Sequence, residues 1–122
     1  MIKKQIKPCM MIGRAAGLHL FQIVAVFDPI VERTVDVKEE LGCRVHGSFE
    51  ELIADDEVEL VIVASMNAHH AAQATAALKA GKHVLCEKPF GLTVADVDGM
   101  LNAAKESGVV LQPFQQRRQE VD

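Results

Sequence analysis

Three short stretches of the sequence place polar side chains where a fold can present them to a ligand. The first is Asp28, which follows the apolar run QIVAVF at residues 22–27. At the end of a strand in a dinucleotide-binding fold, an acidic side chain accepts hydrogen bonds from the ribose hydroxyls and repels a 2′-phosphate. Asp28 also precedes Pro29, and an Asp-Pro pair is a good helix cap with proline at the first helical position. Both interpretations of Asp28 stay open at this point.

The second stretch reads SMNAHH at residues 65–70 and lies between a predicted strand and a predicted helix. Ser65 or Asn67 can cap that helix, and its free N–H groups can then face a cofactor. His69 and His70 are adjacent, so their side chains point apart, and no carboxylate is spaced to complete a metal site with them. We therefore predict surface or capping histidines and no metal ion.

The third stretch is Cys86-Glu87-Lys88-Pro89, which follows another predicted strand and precedes a glycine-containing turn. A lysine at the carboxyl end of a strand can place a cation beside a nicotinamide or a substrate hydroxyl. The alternative for Lys88 is an ordinary solvated loop lysine, and the local sequence leaves both open.

These stretches need a scaffold, and the sequence alternates short apolar runs rich in β-branched residues with segments of helical period. The predicted strands cover residues 22–27, 60–64, 83–86 and 109–112, and the predicted helices cover 30–41, 49–53, 70–80 and 93–107, with an extended piece at 42–48. Strands that are apolar on both faces belong in a parallel sheet covered by helices. The pattern predicts an α/β fold with a doubly wound, mostly parallel sheet of the Rossmann type, which binds ligands at the carboxyl ends of its strands.

Two helix predictions carry finer detail. In the helix at residues 30–41, one face is apolar and is expected to pack on the sheet. That face contains Ile30, Val31, Val35 and Leu41. The helix at residues 93–107 opens with Thr93-x-x-Asp96, a spacing close to that of a capping box.

Length and composition set the class of protein. The 122 residues suit one domain, and 49% hydrophobic with 25% charged residues is an ordinary globular composition. A net charge of −4 argues against nucleic-acid binding, and no apolar run approaches the ~20 residues of a membrane span. The three cysteines are far apart and form no Cys-x-x-Cys pair, which favours reduced thiols and a cytoplasmic location. Residues 115–122 are polar and are expected to form a tail.

The run GKHVLCEKP at residues 81–89 resembles the signature of the glucose–fructose oxidoreductase / inositol dehydrogenase (Gfo/Idh/MocA) family. The likeness extends to VAVFDP at residues 24–29, to Ser65-x-Asn67-x-x-His70, and to Arg117-Arg118 near the end of the chain. It covers about residues 22 to 118.

The resemblance implies an NAD(P)-dependent oxidoreductase that acts on sugars, cyclitols or related hydroxyl compounds. It assigns Asp28 to the ribose and residues Ser65, Asn67 and His70 to a loop that contacts the cofactor. It also assigns Glu87, Lys88 and Pro89 to a motif whose lysine lies by the nicotinamide, with a peptide before the proline that is often cis. Lys88 is thus the candidate catalytic residue.

The phosphate-binding loop departs from the dinucleotide fingerprint, which uses three glycines for a tight turn, close approach of the pyrophosphate and close packing of helix on strand. The best alignment places Pro8 and Met10 at the first two glycine positions and keeps only Gly13. Pro8 lacks an N–H, and a Met10 side chain would intrude on a bound phosphate. A register that starts at Gly13 leaves still fewer residues for the first helix.

The stretch between Gly13 and Gln22 holds only residues 14–21, whereas a helix that returns along a five-residue strand needs about 11 residues. We therefore expect a shortened first helix, or a different path for this segment. Either leaves part of the sheet uncovered, and an exposed apolar surface favours a homodimer.

The family's large substrate-binding domain has no counterpart in these 122 residues. Our first hypothesis is a domain that binds NAD more readily than NADP, weakly, and does not turn over substrate alone. The alternative is a cofactor-free, self-associating α/β module without enzymatic activity. A third possibility, an enzyme assembled with a separate substrate-domain chain, has no positive support in the sequence.

Overall fold

The computed structural model describes residues 10–11 and 22–114. In chain order the elements are β1 (Met10–Met11), β2 (Ala25–Phe27), α1 (Val31–Leu41), β3 (Arg44–Val45), α2 (Phe49–Ala54), β4 (Leu60–Val63), a 3-10 turn (Asn67–His69), α3 (His70–Lys79), β5 (His83–Cys86), α4 (Val94–Ser107) and β6 (Leu111–Pro113). Each predicted strand and helix is present, with ends that shift by up to three residues. The predicted tail, Gly13, Pro8 and the shortened first helix lie outside the described residues.

The strands form one sheet in the order β3-β2-β1-β4-β5-β6. The pairs β2–β3, β4–β5 and β5–β6 are parallel, as the alternation of apolar runs and helices predicts. The carboxyl ends of β2, β4 and β5 therefore meet at one edge of the sheet. That edge carries Asp28, the segment at residues 65–70 and the segment at residues 86–89.

The central strand β1 runs antiparallel to both neighbours, with Met10 opposite Phe27 of β2 and Val63 of β4. Our alignment of Met10 with a glycine of the phosphate loop is therefore wrong, because Met10 is a strand residue. The physical reason is that β2 and β4 each present backbone hydrogen-bonding groups, and Met10 pairs with a residue of each strand. The backbone of β1 therefore runs from the carboxyl end of β2, at Phe27, towards the middle of that strand, at Val26.

The main core lies between the sheet and the layer formed by α2, α3 and α4. Alternate side chains of β4 and β5 point into it, and Val61, Val63, Val84 and Cys86 are fully buried there. A smaller cluster on the other face joins Val26 of β2 to Val37 of α1 and Cys43. Helices thus cover both faces, as a doubly wound sheet requires.

Helix α1 packs with a different face from the one predicted. Its buried residues are Thr34 and Val37, whereas Val31 is 67% exposed and Val35 is 50% exposed. Thr34 tolerates burial because its hydroxyl donates to the carbonyl of Val31, at 2.6 Å, so no polar atom of its side chain is left unpaired. The spacing of apolar residues predicted the wrong face because it treats threonine as polar. A threonine in a helix can be buried when its hydroxyl donates a hydrogen bond within the same helix.

The ends of the helices follow the sequence closely. Thr93 and Asp96 form a reciprocal capping box at the start of α4, which confirms that prediction. Gly42 after α1 and Gly108 after α4 adopt φ values of 62° and 67°, a left-handed conformation that favours glycine. No helix of the described part of the chain is long and apolar enough to cross a bilayer.

A cluster of polar side chains joins β3 and the residue after it to the loop between α2 and β4. One carboxylate oxygen of Asp55 accepts hydrogen bonds from Arg44 Nη2 at 2.7 Å, Arg44 Nε at 3.1 Å and His46 Nε2 at 2.9 Å. The backbone carbonyl of Asp55 also accepts from Lys82 Nζ at 2.8 Å. The Arg44 guanidinium, followed by His46, lowers the pKa of Asp55 from its usual 3.8 to about 2.

We expect the Asp55 cluster to make stability depend on pH in the acid range. The folded-state pKa lies below the unfolded one, so its contribution is present above about pH 4 and is lost as the pH falls towards 2. Replacing Asp55 by Asn should lower the free energy of unfolding at pH 6 by about 1 kcal/mol, since solvent screens the half-exposed Arg44. Urea unfolding at pH 6 and pH 2.5 checks this, with the exposed neighbour substitution Asp56→Asn as control. An equal loss in D55N and D56N would contradict the assignment.

Candidate functional site

Asp28 lies directly after β2 and is 5% exposed. Its Oδ1 accepts a hydrogen bond from the Ile30 amide at 2.8 Å, and its Oδ2 lies 3.6 Å from Nη1 of Arg33 in α1. The helix itself begins at Val31 with Ile30 at the N-cap position, so Asp28 is not the cap that Asp-Pro suggested. Asp28 instead closes a turn before the helix, because its carboxylate accepts a hydrogen bond from the backbone amide two residues further on.

Ser65 and Asn67 follow β4 but do not cap α3. The residues at the cap positions of the 3-10 turn and of α3 are Met66 and His69, and neither makes a side-chain capping bond. The 3-10 turn displaces Ser65 and Asn67 from the start of the helix, which is why the predicted cap is wrong. Asn67 is exposed and Ser65 is half-buried at the carboxyl edge of the sheet.

His70 is the first residue of α3 and is 1% exposed, so our prediction of a surface or capping histidine is wrong. Its Nδ1 lies 2.7 Å from the backbone oxygen of Pro89, and its Nε2 lies 2.9 Å from the backbone oxygen of Ser65. The ring thereby joins the segment after β4 to the segment after β5. Its spacing from Ala74 and Ala77, which share the buried face of α3, was the sequence signal that we missed.

The segment after β5 turns sharply at the Lys88–Pro89 peptide, which is cis, as the resemblance implied. The amide of Glu87 donates to the carbonyl of Val63 in β4 at 2.9 Å, so this loop starts as a continuation of the sheet. Lys88 is exposed and makes no ion pair with any residue from 22 to 114. The fold thus holds the backbone of Lys88 and leaves its ammonium group accessible at the carboxyl edge.

Cys86 sits beneath this loop and packs as a core residue. It is 0% exposed, and its sulfur lies 3.6 Å from the carbonyl oxygen of Glu87 and 3.9 Å from that of Phe90. Burial, with a smaller effect from the negative charge of Glu87, raises the pKa of the Cys86 thiol to about 11. A protonated, inaccessible thiol is unsuited to nucleophilic chemistry.

The sequence of residues 2–115 matches the model of a family described as an oxidoreductase family with an NAD-binding Rossmann fold, GFO/IDH/MocA. The chain belongs to this oxidoreductase family. The match includes residues outside the described structure, and it agrees with the parallel sheet and with the polar segments at its carboxyl edge. The assignment to this family from the sequence is confirmed.

Similar proteins and solved structures show how far the likeness extends. The chain is 42% identical over 91 residues to the 1,5-anhydro-D-fructose reductase of Ensifer adhaerens, covering 74% of this chain and 27% of the reductase. A biliverdin reductase from Synechocystis, solved with biliverdin and NADP+, aligns with a TM-score of 0.71 and 37% identity over 75% of this chain and 29% of that structure.

The WlbA dehydrogenase of Bordetella pertussis, solved with NADH and UDP-GlcNAcA, aligns with a TM-score of 0.74 and 28% identity over 80% of this chain and 28% of that structure. The chain therefore spans less than a third of the length of each of these relatives. One of these similar structures contains NADH and the other NADP+, so the similarity does not distinguish between the two cofactors.

We expect Cys86 to resist alkylation while the chain is folded, because its thiol is buried and protonated at ordinary pH. Treatment with iodoacetamide at pH 8, followed by peptide mass spectrometry, should label Cys86 only after denaturant is added. Labelling of Cys43, which is also buried, serves as the internal comparison. Rapid labelling of Cys86 alone in the native chain would show an accessible thiol beside Lys88 and refute this description.

Proposed function

We propose that this chain binds NAD(H) at the carboxyl edge of its sheet, in preference to NADP(H), and does not turn over a substrate by itself. The observation that carries the proposal is the hydrogen-bonded junction at His70, which fixes two of the polar segments at the edge where doubly wound sheets bind ligands. Asp28 lies at the same edge, after β2. The proposed location of the protein is the cytoplasm.

Asp28 supports the choice of NAD. A buried carboxylate after the second strand is placed to accept hydrogen bonds from ribose hydroxyls and to repel a 2′-phosphate. Arg33 limits this preference, because its guanidinium lies 3.6 Å from the carboxylate and is the kind of group that accommodates a 2′-phosphate. We therefore propose a modest preference for NAD rather than an absolute one.

Lys88 supports a site for the nicotinamide end of the cofactor. Its ammonium is exposed beyond a loop that the sheet and His70 hold in place. A cation at this position can hydrogen-bond a substrate hydroxyl and stabilise the alkoxide that forms as a proton leaves. Among residues 22–114, no side chain is hydrogen-bonded to the Lys88 ammonium, so none of them is in position to exchange a proton with it. Hydride transfer to or from a sugar-like hydroxyl compound would therefore need further residues, in a longer chain or in a partner.

The direction of β1 supports weak binding. In the dinucleotide fingerprint, the pyrophosphate sits on the turn that follows the first strand at the ligand-binding edge. Here β1 runs antiparallel to β2 and β4, so its chain direction is away from the ligand-binding edge rather than towards it. The same observation is what favours the alternative, a cofactor-free and non-enzymatic module, whereas the family's description as NAD-binding weighs against it.

A cofactor titration tests the proposal. We expect isothermal calorimetry to give a dissociation constant for NADH weaker than micromolar and a still weaker one for NADPH. Replacing Asp28 by Ala should weaken NADH about tenfold, or about 1.4 kcal/mol, through loss of a charged hydrogen-bond acceptor, and should affect NADPH less. The variant Glu32→Ala removes one exposed negative charge nearby and serves as control.

Three results of this titration would be decisive. Absence of NADH binding in the wild type would favour the cofactor-free alternative. An equal loss of NADH affinity in D28A and E32A would show that Asp28 does not contact the cofactor. Replacing Lys88 by Ala should change NADH affinity little, since its proposed partner is the reacting hydroxyl, so a large loss of affinity in K88A would redefine its role.

We also propose that the chain forms a homodimer through the face of the sheet opposite the main core. Ile62 of β4 and Leu85 of β5 lie side by side in register on that face and are only half-buried. Gln112, beside Leu85 on β6, is exposed. Apolar strand residues that remain partly open to solvent in the centre of a sheet favour association with a second copy.

Light scattering tests the homodimer directly. The wild-type chain should give twice the monomer mass at high concentration, and Leu85→Lys should shift it to the monomer because a buried lysine is costly. Circular dichroism must show that the variant is folded, and Val110→Lys, at an exposed apolar residue after α4, is the matched control. A monomeric wild type would refute the dimer, as would dissociation by V110K and not by L85K.

A further inference from the structure

The surroundings of the His70 ring constrain its protonation. Both ring nitrogens face backbone carbonyl oxygens, at 2.7 Å for Pro89 and 2.9 Å for Ser65. A carbonyl oxygen only accepts hydrogen bonds. A neutral imidazole carries one N–H and one lone pair, whereas the imidazolium carries two N–H groups. A neutral ring would therefore satisfy one carbonyl and turn a lone pair towards the other.

We propose that His70 is a positioning residue in its imidazolium form, which donates to both carbonyls and so couples the Ser65 segment to the Lys88–Pro89 segment. Loss of the second proton as the pH rises leaves one carbonyl without its donor and releases one of the two segments. The inference about the ring stands on this geometry alone. Its consequence for a bound cofactor rests on the function proposed above.

Opposing effects act on this charge. Burial and the position at the N-terminus of α3 both disfavour a cation. Two short charge-assisted hydrogen bonds favour it, and such bonds are about twice as strong as neutral ones. The ionisable side chains next to His70 in the chain and within three residues of Pro89, which the ring contacts, are His69, Cys86, Glu87 and Lys88. None of them is hydrogen-bonded to the ring, and the negative charge of Glu87 favours a cation that Lys88 disfavours.

The coupling would act on the candidate site through the backbone. The carbonyl held by Nδ1 belongs to Pro89, which follows Lys88 directly, and the carbonyl held by Nε2 belongs to Ser65, two residues before Asn67. Protonation of one buried ring therefore determines whether the exposed Lys88 and Asn67 are held at a fixed separation. At low pH the two segments are joined, and at high pH they are not.

The ring's protonation can be measured without any cofactor, by nitrogen-15 NMR of the chain labelled at histidine. We expect both His70 nitrogens to show protonated chemical shifts in the folded chain at about pH 5, below the ordinary midpoint of histidine. His83 provides an internal reference, because its Nδ1 accepts a hydrogen bond from the Val110 amide at 3.0 Å and must then be unprotonated. A neutral His70 tautomer at this pH would overturn the proposal.

The coupling of the two segments through His70 needs a separate measurement, one whose pH dependence a histidine with a purely structural role would not produce. In the wild type, the amide signals of Asn67, Lys88 and Phe90 should shift with pH in step with the His70 ring. These shifts should disappear in His70→Gln, which keeps a donor and much of the volume but does not titrate. His69→Gln, at the exposed neighbour, should leave them unchanged.

Shifts that persist in H70Q, or that are absent from the wild type, would refute the coupling. If H70Q does not fold, the wild-type ring and amide measurements decide the question alone. NADH affinity should fall about tenfold or less over the pH range in which the ring loses its proton. Failure to bind NADH at any pH would count against the proposed function and leave the ring measurement standing.

Discussion

The candidate site depends on a buried imidazole that holds two loops by their backbone carbonyls. The loops follow β4 and β5, which are neighbours in the sheet, and residues 60–63 pair in register with residues 83–86. Strand pairing alone brings the two loops to the same edge of the sheet, but it does not set the position of one loop relative to the other. The hydrogen bonds from His70 to Ser65 and Pro89 supply that constraint. Small residues on α3 allow it, because Ala74 and Ala77 let the helix lie close against the sheet.

The two faces of the sheet are covered unequally. Helices α2, α3 and α4 bury the inward side chains of β4 and β5 completely, whereas α1 covers only the region of β2 and β3. Half-buried Ile62 and Leu85 mark the remaining surface in the described part of the chain. The asymmetry follows from the strand order, since the crossovers after β3 place three helices on one face and the crossover from β2 to β3 places α1 on the other.

The chain departs from the dinucleotide fold at its centre rather than at its ligand-binding edge. Asp28, the 3-10 turn and the cis peptide at Lys88–Pro89 occupy the carboxyl edge that the family resemblance predicts. The strand between β2 and β4 runs in the opposite direction to both. Each loop at this edge is positioned by the strand that it follows, so the loops after β2, β4 and β5 do not depend on the direction of β1.

The sequence by itself determined the order of the strands and helices from β2 to β6, the capping box at Thr93 and the family. These depend on local signals, namely apolar runs, helical periods, caps and the motif at residues 81–89. Tertiary structure decided the direction of β1, the buried face of α1 and the role of His70. Each of these depends on partners distant in sequence: the open edges of β2 and β4 select the pairing of Met10, and the carbonyl of Pro89, 19 residues away, makes a histidine a buried donor. The spacing of residues within one segment does not predict such partners, because they become neighbours only when the sheet forms.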